Sequence, residues 1–146
     1  MPLAVGRIRD LRTLTVVGAL RGLVEVVLVV ADVERSTQFY RDVLGLEVIS
    51  PPGLPARFLR IGEPGAGIPR QIVLVPRPAD APAVAPRATL HHIGIEVAPA
   101  DFESERKRLG DAGHTLRTGQ HPFMPVEAFY LDDPDGNEIE IATWRG

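Results

Sequence analysis

Three carboxylates and one imidazole stand at alternating positions of short, apolar stretches: Glu25 in LVEVVLVV, His92 in LHHIGIEV, and Glu138 and Glu140 in DPDGNEIEI. Successive side chains of a strand point to opposite faces, so Glu138 and Glu140 share one face and Ile139 and Ile141 the other. In the same way His92, Gly94 and Glu96 oppose Ile93, Ile95 and Val97. A carboxylate on an apolar strand is costly to bury without a partner. Carboxylates and an imidazole brought to one hollow can hold a divalent cation or move a proton. The chain has no cysteine, which excludes disulfides and thiolate metal sites. A calcium loop is excluded too, because a glycine at its sixth position would put Leu131 at the first, where an oxygen ligand is required. Asp133-Pro134-Asp135-Gly136 reads instead as a type I turn, with Pro134 fixing φ and Gly136 leaving the turn.

The elements that must position these residues occur twice. Leu23–Ala31 is strand-like, and Asp32 can cap a helix in which Val33, Phe39, Tyr40, Val43 and Leu44 recur at helical spacing before Gly45 stops it. Strands follow around Leu46–Ser50, Arg57–Ile61 and Gln71–Val75. A proline-rich linker over 77–88 cannot join a regular element. Beyond it, Leu90–Val97 is a strand, and Pro99 opens a helix through about Ala112 that Gly113 ends. Strands follow near Thr115–Arg117, Val126–Leu131 and Glu138–Ala142. Sliding Val26–Val30 onto Ile93–Val97 takes an offset of 67 residues, and Ile72–Leu74 onto Ile139–Ile141 takes 67 again. A constant offset across matching strands marks a duplication. The expected architecture is α+β: two βαβββ repeats, modules 23–76 and 89–143 of a single domain over 23–146, after an arm over 1–22.

The duplication relates Glu25 to His92 and Val73 to Glu140. These four positions lie on the first and last strands of the two units, on the faces turned away from the helices. Three of the four are potential metal ligands, Glu25, His92 and Glu140. The pocket wall is expected to be apolar on one side, from Val27, Val29, Val73 and Val75, and acidic on the other, from Gly94, Glu96, Glu138 and Glu140. A chain of 146 residues with 45% hydrophobic and 24% charged residues is domain-sized and soluble. Its net charge of -3 gives no basic field for nucleic acid. No run of about 18 apolar residues could cross a membrane. With Arg7, Arg9, Asp10 and Arg12 interrupting any apolar start, no export signal is read and a cytoplasmic location is expected.

VVLVVADVERSTQFYRDVLGLEV (26–48), LHHIGIEV (90–97) and FYLDDPDGNEIEI (129–141) together resemble the vicinal oxygen chelate superfamily of glyoxalases, bleomycin and fosfomycin resistance proteins, methylmalonyl-CoA epimerases and extradiol dioxygenases. The resemblance implies that the paired modules form an incomplete mixed β-barrel around a divalent metal, to which a substrate binds through two neighbouring oxygens. It implies ligands at the four positions derived above. His92 and Glu140 match. Glu25 stands where most metal-binding relatives have histidine, and Val73 cannot coordinate. The set of Glu25, His92 and Glu140, with one nitrogen and two carboxylates, suits Mn, Ni, Co, Fe(II) or Mg more than a closed structural zinc site, with Zn also open. The family commonly dimerises, so a homodimer is expected.

The function expected on this basis is a divalent-metal-dependent enzyme acting on a small oxygen-chelating molecule by isomerase-, lyase- or epimerase-type proton transfer. Glu140 is its proton carrier and His121 an additional acid, at a place where related dioxygenases often carry a catalytic histidine. The alternatives are a metal-free protein that binds or sequesters a drug-like ligand, and an extradiol-type dioxygenase, which the absence of a two-histidine, one-carboxylate set disfavours. Without metal, Glu25 is expected to pair with Arg57 or Arg60 across the sheet. His91 is expected on the face opposite His92, and His114 as a solvated residue after the helix end.

Overall fold

The computed structural model of the protein describes residue 19 and residues 22–146. The arm expected over residues 1–22 therefore lies almost wholly outside the described residues. The first repeat runs β1 (Glu25–Val30), α1 (Val33–Gln38), β2 (Glu47–Val48), β3 (Arg57–Arg60) and β4 (Gln71–Pro76). The second runs β5 (His92–Glu96), α2 (Phe102–Asp111), β6 (Arg117–Gln120), β7 (Val126–Asp132) and β8 (Glu138–Trp144). Each makes a four-stranded mixed sheet, ordered β1-β4-β3-β2 and β5-β8-β7-β6. The sheets are curved and do not close into a barrel.

The duplication extends to the hydrogen-bond register. β1 pairs with β4 in parallel, Glu25 opposite Gln71 and Val27 opposite Val73. β5 pairs with β8 in parallel, His92 opposite Glu138 and Gly94 opposite Glu140. Each pair in the second sheet lies 67 residues beyond its counterpart in the first. With register thus fixed, the alternation of side chains assigns every strand residue to a face. Leu28, Val30, Ile72, Leu74, Ile93, Ile139 and Ile141 are buried with Phe102 and Leu109 of α2 and with Phe39 and Tyr40 in one core cluster.

Three local departures from the expected elements have physical causes. Asp32 caps α1, its side chain accepting from the Arg35 amide at 3.0 Å, but after Gln38 the helix widens into a π-helical turn over Phe39–Val43. The wider turn ends at Gly45, whose φ of 78° only glycine adopts without strain. α2 begins at Phe102 rather than Pro99, because Pro99–Asp101 form a turn before it. β6 lies at Arg117–Gln120, shifted toward the C-terminus from Thr115–Arg117, because Gly119 pairs with Ala128 instead of breaking the strand.

The Asp133–Gly136 turn forms as expected, closed by the Gly136 amide donating to the Asp133 carbonyl at 3.0 Å. It also binds the first repeat to the second. Tyr40, fully buried, donates its hydroxyl to Asp133 Oδ2 at 2.6 Å. Asp133 Oδ1 accepts the amides of Asp135 at 2.9 Å and Asn137 at 2.8 Å. Asp135 accepts from the Ala31 amide at 3.0 Å and the Ser36 hydroxyl at 3.1 Å, and Arg35 donates to the Pro134 carbonyl at 2.7 Å. A phenol donating to a buried carboxylate is a strong, charge-assisted bond. Tyr40→Phe is therefore expected to lower stability by about 1–3 kcal/mol, and Asp133→Ala by more, since it also strips the turn amides. The urea midpoints of the two variants check this, and an unchanged midpoint in both would contradict the tie between the repeats.

Candidate active site

His92 and Glu140 come together on the open face of the second sheet. They lie on the adjacent parallel strands β5 and β8, with His92 Nε2 at 3.3 Å from Glu140 Oε2. Glu140 is held at its other oxygen, since the Tyr130 hydroxyl, one strand over on β7, donates to Oε1 at 2.8 Å. Two glycines leave room for this set. A Cβ on Gly94 would lie 3.1 Å from Glu140 Oε2, and one on Gly119 would lie 2.5 Å from the Tyr130 ring. No sequence motif marks Tyr130. The available signal was its alternation in phase with Asp132 on β7, directly opposite Glu140 in the antiparallel ladder.

A cavity of about 490 Å³ opens over this pair, lined by His92, Gly94, Glu96, Tyr130, Glu140 and Trp144 of the sheet and by His121, Pro122 and Met124 of the preceding loop. The rest of the lining is largely apolar, as small-molecule sites are. His121 reaches the cavity from a loop that its own ring organises: Nδ1 accepts the amides of Phe123 at 3.3 Å and Met124 at 3.0 Å. With Nδ1 an acceptor, the neutral ring carries its proton on Nε2. His121 also borders a second cavity of about 720 Å³ between α2 and the β6–β7 hairpin.

The remaining expected residues fall elsewhere. Glu25 is exposed on the corresponding face of the first sheet and accepts from the Gln71 side chain at 3.0 Å. It pairs with neither Arg57 nor Arg60: Arg60 is taken by Glu47, and Arg57 by the Leu54 and Ala56 carbonyls. Val27 and Val29 are half-exposed beside it, whereas Val73 is buried and Val75 is intermediate. None of these four valines lines the cavity over His92. Among the described residues, the group of three with ligand atoms all within 4.8 Å of one another is His91, His92 and Glu138, not Glu25, His92 and Glu140.

His91 corrects the expectation that it faces away. Its Nδ1 lies 2.7 Å from His92 Nδ1, with the rings edge to face. Strand alternation fails there because β5 begins at His92, so His91 belongs to the preceding segment. His114 is partly buried, its ring edge-on to Phe39. Glu138, on the same face as Glu140, is held by Arg117 Nη2 at 2.8 Å and Arg87 Nη2 at 3.4 Å. Both guanidiniums also grip Asp132, at 2.6 and 2.7 Å. Burial would raise the Asp132 pKa, but its bonds to Arg117 and then Arg87 outweigh that and lower it.

The donor set fits a divalent cation. A six-coordinate ion with bonds of about 2.1 Å places neighbouring ligand atoms about 3 Å apart, close to the separation of His92 Nε2 and Glu140 Oε2. One imidazole and one carboxylate, with a further imidazole and carboxylate at hand, form a mixed nitrogen–oxygen set open to solvent on one side.

Duplicated βαβββ modules, each with a four-stranded mixed sheet, define a class of fold, and comparison with known proteins places the chain within it. The chain belongs to the Glyoxalase/Bleomycin resistance protein/Dioxygenase superfamily, whose sequence profile matches residues 22–141. It is 29% identical over 132 residues to the catechol-2,3-dioxygenase of Bacillus subtilis (strain 168), covering 81% of this chain and 42% of that protein. The chain thus spans less than half the length of that relative. Among solved structures, a glyoxalase/dioxygenase from Nostoc punctiforme shares the fold with a TM-score of 0.68 and 20% identity, covering 94% of this chain and all of that one. Lactoylglutathione lyase from Agrobacterium tumefaciens does so with a TM-score of 0.63 and 18% identity, covering 86% and 96%. No helix among the described residues is long and apolar enough to cross a membrane.

Tyr130 is pushed up to about 12, by burial and then by its bond to the Glu140 carboxylate. Tyr40 is raised further, by burial and by Asp133. The chain has two tyrosines. An alkaline ultraviolet titration is therefore expected to show no tyrosinate forming near the ordinary value of 10.0 while the fold persists. Glu140→Gln should lower the Tyr130 transition, and a full tyrosine equivalent ionising near 10 in the native protein would contradict the site geometry.

Proposed function

We propose that the protein is a divalent-cation-dependent enzyme acting on a small organic molecule that presents two neighbouring oxygens, by proton transfer of the isomerase, lyase or epimerase type. The observation that carries this reading is the approach of His92 Nε2 to Glu140 Oε2 at 3.3 Å, on a cavity face where Tyr130 fixes the carboxylate's other oxygen. The bound cation, whether Mn, Ni, Co, Fe(II), Mg or Zn, would polarise a substrate oxygen and stabilise the enolate formed when a neighbouring proton leaves. Glu140 then receives that proton, its geometry set by Tyr130, which stays a hydrogen-bond donor because its pKa is raised. His121, protonated on Nε2 when neutral, donates from the cavity rim. The apolar lining around Trp144 and Met124 excludes water from the substrate body.

Glu25 enters this reading through a second copy of the chain. Its carboxylate does not cluster with His92 and Glu140 within the chain, yet it occupies the position on the first sheet equivalent to His92. Val27 and Val29, on the same face, are 50% and 56% exposed, an apolar strip that suits burial. In a homodimer that lays the first sheet of one subunit against the second sheet of the other, Glu25 completes the ligand set and these valines form the apolar wall.

An oxygenase reading has its own support, because the catechol dioxygenase relative is 29% identical and both His121 and Tyr130 reach the cavity. Oxygen consumption with catechols on the Fe(II)-loaded protein, set against proton exchange on an α-hydroxycarbonyl compound with Mn(II) or Ni(II), separates the two reactions. A metal-free binding protein would show neither.

His92→Ala is expected to weaken Mn(II) binding by more than the roughly 10–100-fold typical for loss of an outer-shell partner. Unchanged Mn(II) affinity in that variant would refute the metal reading. Mixing Glu25→Gln and His92→Ala subunits should restore one intact site per mixed dimer and so recover Mn(II) binding that neither parent shows. If the mixture binds no more than its parents, the site does not cross between subunits.

A further inference from the structure

On the face that carries His92, β8 offers a cation two carboxylates two residues apart, Glu138 and Glu140, and of these two Glu138 is the one held by arginines. Glu138 Oε2 is held by Arg117 at 2.8 Å and by Arg87 at 3.4 Å, with Asp132 closing the cluster between the same two guanidiniums. Yet a Glu138 oxygen lies within 4.8 Å of ring nitrogens of both His91 and His92. Without the arginines, Glu138 would be a ligand as well placed as Glu140. With them, a divalent ion there would face two fixed positive charges and a carboxylate already neutralised.

Arg87 comes from the proline-rich linker, and its backbone shows that it is held in place. It is the one non-glycine among the described residues with positive φ, at 62°, a conformation costing about 1–3 kcal/mol that persists where surroundings over-determine it. The preceding residue seats the linker on the Asp133–Gly136 turn: a Cβ on Gly136 would come 3.0 Å from the Pro86 ring. The segment joining the repeats is thereby fastened beside the site by the Arg87 ion pairs and the Pro86 contact.

We infer that Arg87 and Arg117 are positioning residues that hold Glu138 out of the cation site, so that β8 supplies a single carboxylate, Glu140, beside His92. The inference rests on the metal reading proposed above. It adds that the linker sets the charge of the ligand set, and with it the preference among cations: one carboxylate and an imidazole leave room for a chelating substrate, whereas a second carboxylate would fill a position and favour harder ions.

The test uses Mn(II) alone as the probe, followed by calorimetry and by its electron paramagnetic resonance. Glu138→Gln is expected to leave Mn(II) affinity within about twofold, while Glu140→Gln weakens it by at least about tenfold. Arg87→Ala/Arg117→Ala should tighten Mn(II) binding by about tenfold and change its resonance spectrum, and adding Glu138→Gln to that pair should abolish the gain. If the double variant does not fold, Arg87→Ala alone, at a side chain 41% exposed, should give a smaller gain with the same dependence on Glu138. Equal losses from Glu138→Gln and Glu140→Gln, or no gain on removing the arginines, would overturn the inference while leaving the His92–Glu140 site in place. Mn(II) binding that is absent from every form, or indifferent to both His92→Ala and Glu140→Gln, would overturn the site and the inference together.

Discussion

The Asp133 carboxylate is the fixed point from which the functional face is built. It is buried, accepts the Tyr40 hydroxyl from the first repeat, and accepts two amides and the Asn137 side chain of its own turn. A buried carboxylate is tolerable only when its lone pairs are taken, and here they are shared between Tyr40 of the first repeat and the turn that Asp133 itself opens. Because that turn leads directly into β8, the bonds that satisfy Asp133 also set where β8 starts. A slip of one residue would send Glu138 and Glu140 into the core and Ile139 and Ile141 to solvent. The requirement to satisfy one buried charge thus decides which side chains face the cavity.

Around that fixed point the site depends on what is missing as much as on what is present. Glu140 can approach His92 because Gly94, directly opposite it across the ladder, has no side chain. Tyr130 can lie flat enough to reach Glu140 because Gly119 has none either. The adjacent strands β5, β8 and β7 each supply one polar group, and β5 and β6 each supply a gap. Rigid strands hold such a constellation more closely than loops do. The loop residue His121 is the exception, and it steadies its own loop by accepting two amides on one nitrogen.

Much of this was legible in the amino-acid order because two periodicities overlap there. Alternation within strands puts His92, Glu138 and Glu140 on open faces, and the 67-residue offset relates Glu25 to His92. The same offset holds in the backbone pairing of both parallel ladders. What was not legible depends on contacts that neither periodicity encodes. His91 swings toward His92 because it lies outside the strand, and Arg60 pairs with Glu47 because β2 lies beside β3. Gly119 has no pattern to mark it, because its value lies in the space it leaves for the Tyr130 ring on the next strand. The grip of Arg87 on Asp132 and Glu138 joins residues 45 and 51 positions apart, through a linker with no pattern to read.

The duplication has left two faces of unlike chemistry, and the difference explains why the candidate site lies on one repeat. Equivalent positions hold Val27 and Gly94, Val73 and Glu140, Gln71 and Glu138. On the second sheet a small residue and two acids replace the larger or neutral ones, opening space and adding charge together. The added charge is then divided: Asp132 and Glu138 are neutralised by Arg87 and Arg117, while Glu140 is held by the Tyr130 hydroxyl and His92 and, among the described residues, forms no arginine or lysine ion pair. A carboxylate left without a full countercharge at a half-buried site attracts a cation. The neighbouring imidazole favours the cation, because it can supply a second lone pair at the same point. The valine-rich face of the first sheet offers no such group besides Glu25, and its strand contributes mainly apolar surface. A chelating substrate needs both kinds of surface, a charged end to seize its oxygens and an apolar one to cover its carbon frame.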